Sequence, residues 1–287
     1  MLRNVTTYHK PTTVEEAIAL VQSNPHAAYL AGGSWVVAQG DPTLEILVDL
    51  QQAGIGKIEG ELNGVRIGAM ATLQQIIDHD DAGMLAGGVL AKAASYTQSR
   101  NLREQGTLGG TLIVAGPADP LTTVLLVLDA EINYADSTVH VAPFGSFVAY
   151  RDRLLKTRAL LTGITVKRPP ARATAAFEVV GRSPKDKPIV CVAAYVAVEE
   201  GLPVEIRLAV GGADPQPVRL LKTEHILKGQ GQVLSAERID AALEASVAVL
   251  NPVADFRGSA EYRREMAKVL SRRALLDAWD RARKSKE

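Results

Sequence analysis

Over roughly the first 170 residues, apolar positions come in short bursts broken by polar turns, and the spacing inside each burst names an element. Thr13-Val-Glu-Glu16 has the form of a capping box and predicts a helix over Val14 to Gln22. Ala28-Tyr-Leu30 reads as a short buried strand running straight into Ala31-Gly-Gly-Ser34, and Ile46 to Leu50 as another. Gly64 to Gly68 predicts a strand that enters a second box, Thr72-Leu-Gln-Gln75. Leu73, Ile76 and Ile77 then share one helix face. Residues 84 to 95, rich in alanine, predict a further helix before the three glycines of Gln105-Gly-Thr-Leu-Gly-Gly110 interrupt the pattern. Asp119-Pro120 pairs an N-cap aspartate with proline at the first helical position. Ile132 to Val141 predicts a hairpin turning at Ala135-Asp-Ser137, and Leu160 to Val166 one more strand.

The prolines of Lys167-Arg-Pro-Pro170 mark a linker. Beyond it Val190, Val192, Ala194, Val196 and Val198 alternate, as do Val204, Ile206, Leu208 and Val210, joined by Glu200-Gly-Leu-Pro203. That is an antiparallel hairpin with one buried face. Helices follow: one ending at Gly229, one from Ala236 to Leu250 stopped by Asn251-Pro252, and a last from about Ala260 with Tyr262, Met266, Val269 and Leu270 as its apolar stripe. The chain reads as α+β in two domains, 1–170 and 171–287, the first with lobes at about 1–55 and 56–170.

Composition narrows the function classes. Lysine plus arginine and aspartate plus glutamate number 32 each, and aromatics are 5%, so neither an electrostatic footprint nor a stacking platform for nucleic acid is present. No apolar run approaches the ~20 residues of a membrane span, and the N-terminus lacks the apolar core of a signal peptide, so a cytoplasmic protein without membrane partners is expected. A single cysteine, Cys191, cannot ligate an iron–sulfur cluster, which takes about four thiolates. Histidines 9, 26, 79, 140 and 225 show no metal-ligand spacing, and Asp78-His79-Asp80-Asp81 reads as a solvated helix end, so no metal site is expected.

Two glycine clusters remain as candidate chemistry. Ala31-Gly-Gly-Ser34 follows a strand, where missing Cβ atoms let a ligand approach the backbone and amide groups can nest around an anion. Thr107-Leu-Gly-Gly-Thr111 is the second, with Asp119 shortly after it. Each also reads as a plain tight turn, and Asp119 as a plain N-cap. Together they suit a dinucleotide held between them, with Asp119 both capping and bonding a ribose hydroxyl. Gly54-Ile-Gly56 does not complete a Rossmann fingerprint, and no phosphate loop or hydrolase constellation is present, so no catalytic residue is assigned.

In order along the chain stand Ala31-Gly-Gly-Ser34, Leu102 to Thr111 continuing to Gly116-Pro-Ala-Asp119, Phe177 to Arg182 followed by Asp186, Val210-Gly-Gly-Ala213 with Pro217-Val-Arg219, and Phe256-Arg-Gly-Ser-Ala-Glu-Tyr-Arg-Arg264. This series resembles the FAD-binding subunits of molybdenum hydroxylases, the group of xanthine dehydrogenases, carbon monoxide dehydrogenases and aldehyde oxidoreductases. The resemblance implies a two-lobed, PCMH-type FAD domain followed by a C-terminal α+β domain with antiparallel sheet and helices. It implies that Ala31, Gly32, Gly33, Ser34 and Trp35 wrap the FAD pyrophosphate, that Thr107, Gly109, Gly110 and Thr111 form the opposite wall, that Asp119 reaches the ribose side and that Leu160 or Leu161 packs near the flavin ring. The chain departs from the family's usual residues at Thr111, Trp35 and Glu104. The implied function is electron transfer by an FAD-bearing oxidoreductase subunit, taking electrons from clusters on an iron–sulfur small subunit in a complex that also holds a molybdenum-cofactor large subunit. A flavin-free scaffold of the same fold and a self-sufficient flavin oxidase stay open beside it.

Overall fold

The structure is a computed structural model that describes residues 2–96, 99–183, 186–228 and 231–285. The elements run β1 (Thr7–His9), α1 (Val14–Ser23), β2 (Ala27–Leu30), α2 (Val36–Gln39), β3 (Ile46–Asp49), β4 (Ile58–Glu61), β5 (Gly64–Gly68), α3 (Leu73–Asp78), α4 (Asp80–Ser95), α5 (Arg100–Gln105), α6 (Leu108–Ile113) and α7 (Pro120–Val127). There follow β6 (Glu131–Ala135), β7 (Val139–Pro143), α8 (Phe144–Lys156), β8 (Leu160–Lys167), β9 (Ala173–Val180), β10 (Val190–Glu199), β11 (Leu202–Gly211), β12 (Val218–Arg219), α9 (Leu221–Lys228), α10 (Ala236–Val247) and α11 (Ala260–Lys284).

Helix starts follow the capping residues. Thr72 and Gln75 form the full reciprocal box, with Thr72 Oγ1 accepting from Gln75 N at 3.2 Å and Gln75 Oε1 accepting from Thr72 N at 2.8 Å. At α1 the box is displaced: Thr13 caps Glu16 N, but the Glu16 carboxylate accepts from Thr12 N, one residue earlier. The alanine-rich helix begins earlier than its composition suggests and breaks at Leu85–Gly88, where Ala86, Gly87 and Gly88 take left-handed backbone. Two successive glycines weaken a helix enough for such a break. The acidic run falls where α3 ends and α4 begins. Helix α10 stops at Val247, three residues short of expectation, in a turn closed by Leu250 N donating to Val247 O. The stop at Gly229 lies outside the described residues.

Two compact units form, each from several segments: Met1–Ala82, Ser99–Val114 and Ala130–Val166 in the first, and Gly83–Gln98, Ala115–Asp129 and Lys167–Glu287 in the second. The first unit holds a three-stranded parallel sheet in the order β1-β3-β2 and a five-stranded sheet in the order β4-β5-β8-β6-β7. Ala17, Ile18 and Val21 of α1 pack on Val48 and Leu50. This fixes β2 and the loop that leaves it.

The second unit is built on an antiparallel sheet in the order β12-β11-β10-β9. The alternation in the hairpin predicts one buried face, yet β10 is buried on both. Val190, Val192, Ala194, Val196 and Val198 join the core with α9, α10 and α11. On the other face Cys191 Sγ lies 3.3 Å from Thr123 Oγ1 of α7. Every residue of α7 is buried, so that helix has no face to give to water and must be covered on all sides. The last helix bears out part of its expected stripe: Leu270 is buried and Met266 packs against the core, but Tyr262 is 38% exposed, and Ala267, Ala274, Leu275 and Trp279 extend the core contact.

Candidate functional site

Strand β2 delivers the chain at Leu30 into the loop Ala31–Trp35. A Cβ on Gly32 would stand 1.7 Å from the Gln105 carbonyl oxygen, so backbone meets backbone there and only glycine fits. Gly33 has φ +73°, the left-handed region. The loop is partly exposed, and among the described residues the amides of Gly32, Gly33, Ser34 and Trp35 have no hydrogen-bond acceptor. Four successive unengaged N–H donors on a half-covered loop are what an anion-binding nest requires.

The second cluster is built the opposite way. It is the start of a helix, and none of its glycines has positive φ. Thr107 Oγ1 accepts from Gly110 N at 3.1 Å, and Thr111 N donates to Thr107 O at 2.9 Å. Leu108 N and Gly109 N donate to Ala71 O and Ala69 O, each at 2.8 Å. A Cβ on Gly109 would press 2.9 Å from Ala69 Cβ. These amides are already consumed, so the segment supplies a smooth wall and the Thr111 side chain, while the donors come from the first loop.

Two cavities flank that loop within the first unit. An apolar one of about 350 Å³ is lined by Ala31–Val36, by Thr107, Gly109, Gly110 and Thr111, and by Leu50, Leu155, Leu160 and Leu161. A larger one of about 840 Å³ shares Ala31–Ser34 and Thr107 and adds Gln51, Thr72, Gln75, Glu104 and Gln105. The loop thus lines both an apolar chamber and a larger, more polar one. A long amphipathic ligand with a charged middle fits that shape.

Of the residues singled out in the sequence, Ala31, Gly32, Gly33, Ser34, Trp35, Thr107, Gly109, Gly110, Thr111 and Leu161 all line the apolar cavity. Trp35 is half exposed and Leu161 buried. Asp119 belongs to the second unit, where Oδ1 caps α7 by accepting from Thr122 N at 2.8 Å and Thr122 Oγ1 at 2.7 Å. Two lining residues carried no motif. Tyr29 donates to the Arg158 carbonyl at 3.0 Å, and burial pushes its phenol up to about 12 against the opposing pull of Arg158. Arg158, with φ +60°, donates through Nη2 to the Ala27 carbonyl. Neither a left-handed arginine nor its contact with a strand 131 residues away leaves a local trace.

Residues 3–169 match the FAD binding domain in molybdopterin dehydrogenase, and residues 175–278 the CO dehydrogenase flavoprotein C-terminal domain. The chain belongs to this family. It is 27% identical to the nicotine 6-hydroxylase medium subunit of Paenarthrobacter nicotinovorans, covering 94% of this chain and 96% of that one. It is also 27% identical to the carbon monoxide dehydrogenase medium chain of Afipia carboxidovorans, covering 96% and 97%. A solved carbon monoxide dehydrogenase from Hydrogenophaga pseudoflava superposes with a TM-score of 0.89 at 27% identity, over 98% of this chain and 99% of that chain. As a member of the molybdenum-hydroxylase flavoproteins the chain is an oxidoreductase component whose cofactor is FAD, and its fold is that of the carbon monoxide dehydrogenase medium subunit. The cradle at Gly32 and the unengaged amides beside it fit the diphosphate of that cofactor. Among the described residues no helix is long and apolar enough to cross a membrane, and no group of three or more His, Cys, Asp or Glu could hold a metal.

Proposed function

We propose that this chain is the electron-transfer subunit of a cytoplasmic molybdenum hydroxylase complex. The observation that carries the reading is the row of unengaged amides from Gly32 to Trp35 on a loop that Gly32 and Gly33 alone allow. In this reading those amides take the pyrophosphate, Thr107, Gly109, Gly110 and Thr111 close the opposite wall, Leu161 covers a ring, and Asp119 adds a ribose contact to its capping bond. Bound there, the flavin supplies electron transfer between iron–sulfur clusters on a small subunit and a terminal acceptor. The protein itself binds and orients, which agrees with the absence of an acid–base constellation among the described residues around the loop. Partner chains are required because one cysteine, buried at position 191, cannot ligate a cluster.

An absorbance spectrum before and after adding FAD tests the cofactor, and boiling should release it intact. The loaded chain alone should leave aldehydes and purines untouched, and co-expression with a molybdenum-cofactor large subunit and an iron–sulfur small subunit should restore substrate-dependent flavin reduction. A colourless chain with no response to FAD would point to a scaffold. Turnover by the isolated chain at roughly 1 per second or faster would make it an oxidase in its own right.

A further inference from the structure

Among the described residues, Arg158 is the one formally charged side chain lining the apolar cavity. It is half-buried, and among those residues it has no carboxylate partner; only Nη2 is engaged, by the Ala27 carbonyl. Its left-handed backbone is held by the Tyr29 hydroxyl. A half-buried cation without a counter-ion, fixed in a disfavoured conformation beside an apolar chamber, calls for a ligand group that meets it.

Its position says which group. Strand β2 runs from Ala27 to Leu30, and its three steps of about 3.3 Å put the Ala27 carbonyl a full strand length, on the order of 10 Å, before the residue that enters the loop. With Nη2 held at Ala27, the guanidinium stands beyond a pyrophosphate bound to the loop amides and faces one end of the dinucleotide. The redox-active end must be reachable by centres on other chains, because this one cannot ligate a cluster. It also has a polar edge, which the larger chamber matches with Gln51, Thr72 and Gln75. The apolar chamber is left for the redox-inert end.

We infer that Arg158 reads the adenosine half of FAD, its planar guanidinium set against the adenine ring, and so makes the site select FAD over FMN. The inference rests on the FAD reading above. It also places Leu161 against the adenosine half instead of the flavin ring.

The apo chain is titrated calorimetrically with FAD, ADP and FMN, in wild type and in Arg158→Met, Arg158→Gly and Arg158→Lys. Glycine keeps the left-handed backbone, so Arg158→Gly isolates the side chain from the strain. Both uncharged variants should lose tenfold or more in affinity for FAD, with the same factor for ADP and none for FMN; Arg158→Lys should fall between. Should the uncharged variants fail to fold, a smaller parallel loss for FAD and ADP in Arg158→Lys supports the assignment equally. Equal losses for FAD and FMN, or a loss for FAD without one for ADP, would overturn the assignment. So would unchanged FAD affinity with a lowered melting temperature, which marks a structural latch. A wild type that binds neither FAD nor ADP removes the functional reading itself, whereas a wild type that binds both with Arg158 variants matching it removes this inference alone.

Discussion

Gly32→Ala adds one methyl group at the point where the two glycine segments touch. The new carbon would lie 1.7 Å from the Gln105 oxygen and must retreat by about 1.7 Å to reach the 3.4 Å of an ordinary contact. Backbone on both sides leaves no flexible side chain to yield, so the loop itself moves. An N–H···O bond is good only over roughly 2.7–3.2 Å, and a shift of that size carries the neighbouring amides out of range. Loss of two bonds to a charged acceptor, at roughly 1.5–3 kcal/mol each, amounts to about 3–6 kcal/mol. The FAD dissociation constant should rise by roughly 10²- to 10⁴-fold. Gly54→Ala is the control: its φ is +76° but no atom lies within 4 Å of the added carbon, so it costs about 1 kcal/mol of stability and leaves flavin alone. Flavin absorbance per chain after purification, calorimetric titration of the apo chain and its melting temperature give the three readouts. If Gly32→Ala kept full flavin and bound FAD within threefold of wild type, the loop would not be the pyrophosphate site.

Gly110→Val places a branched side chain whose Cβ starts 3.0 Å from Thr107 Oγ1, inside the cavity wall; flavin content should fall while far-UV circular dichroism stays near wild type. Asp119→Asn still caps α7, so the apo melting temperature should hold while FAD affinity weakens; unchanged affinity would leave Asp119 a cap alone. Glu224 is buried and accepts from Leu208 N at 2.9 Å and from Arg219 at 2.9 and 2.6 Å, so Glu224→Ala should cost about 3–5 kcal/mol in urea unfolding. Burial pushes the Cys191 thiol up to about 12 and Tyr29 likewise, from 9.0 and 10.0. Both are held neutral in the fold, so their contribution is complete below pH 9 and is lost as pH rises toward 12; the denaturation midpoint should fall across that window. Cys191 should also resist thiol reagents at pH 8 until the chain unfolds.

Whatever depends on near neighbours along the chain was legible in the residues alone. The Thr72 box, the Asp119-Pro120 helix start, the hairpin of β10 and β11 and the ordered series of family motifs are all short-range patterns, and short-range patterns survive in one dimension. Packing settled the rest. Which glycine cluster donates hydrogen bonds depends on whether Ala69 and Ala71 have already taken the amides, and those residues lie a whole α3, α4 and α5 away. The alternation along β10 reads as one buried face because the small residues Cys191, Ala193 and Ala197 look neutral until α7 lies across them. Arg158 looks like any cation in a polar helix end; its left-handed backbone and its hold on Ala27 exist only once β2 and β8 are packed together. Such contacts carry no period and no spacing rule, since they join segments whose separation in sequence is arbitrary and whose meeting is set by burial of the core.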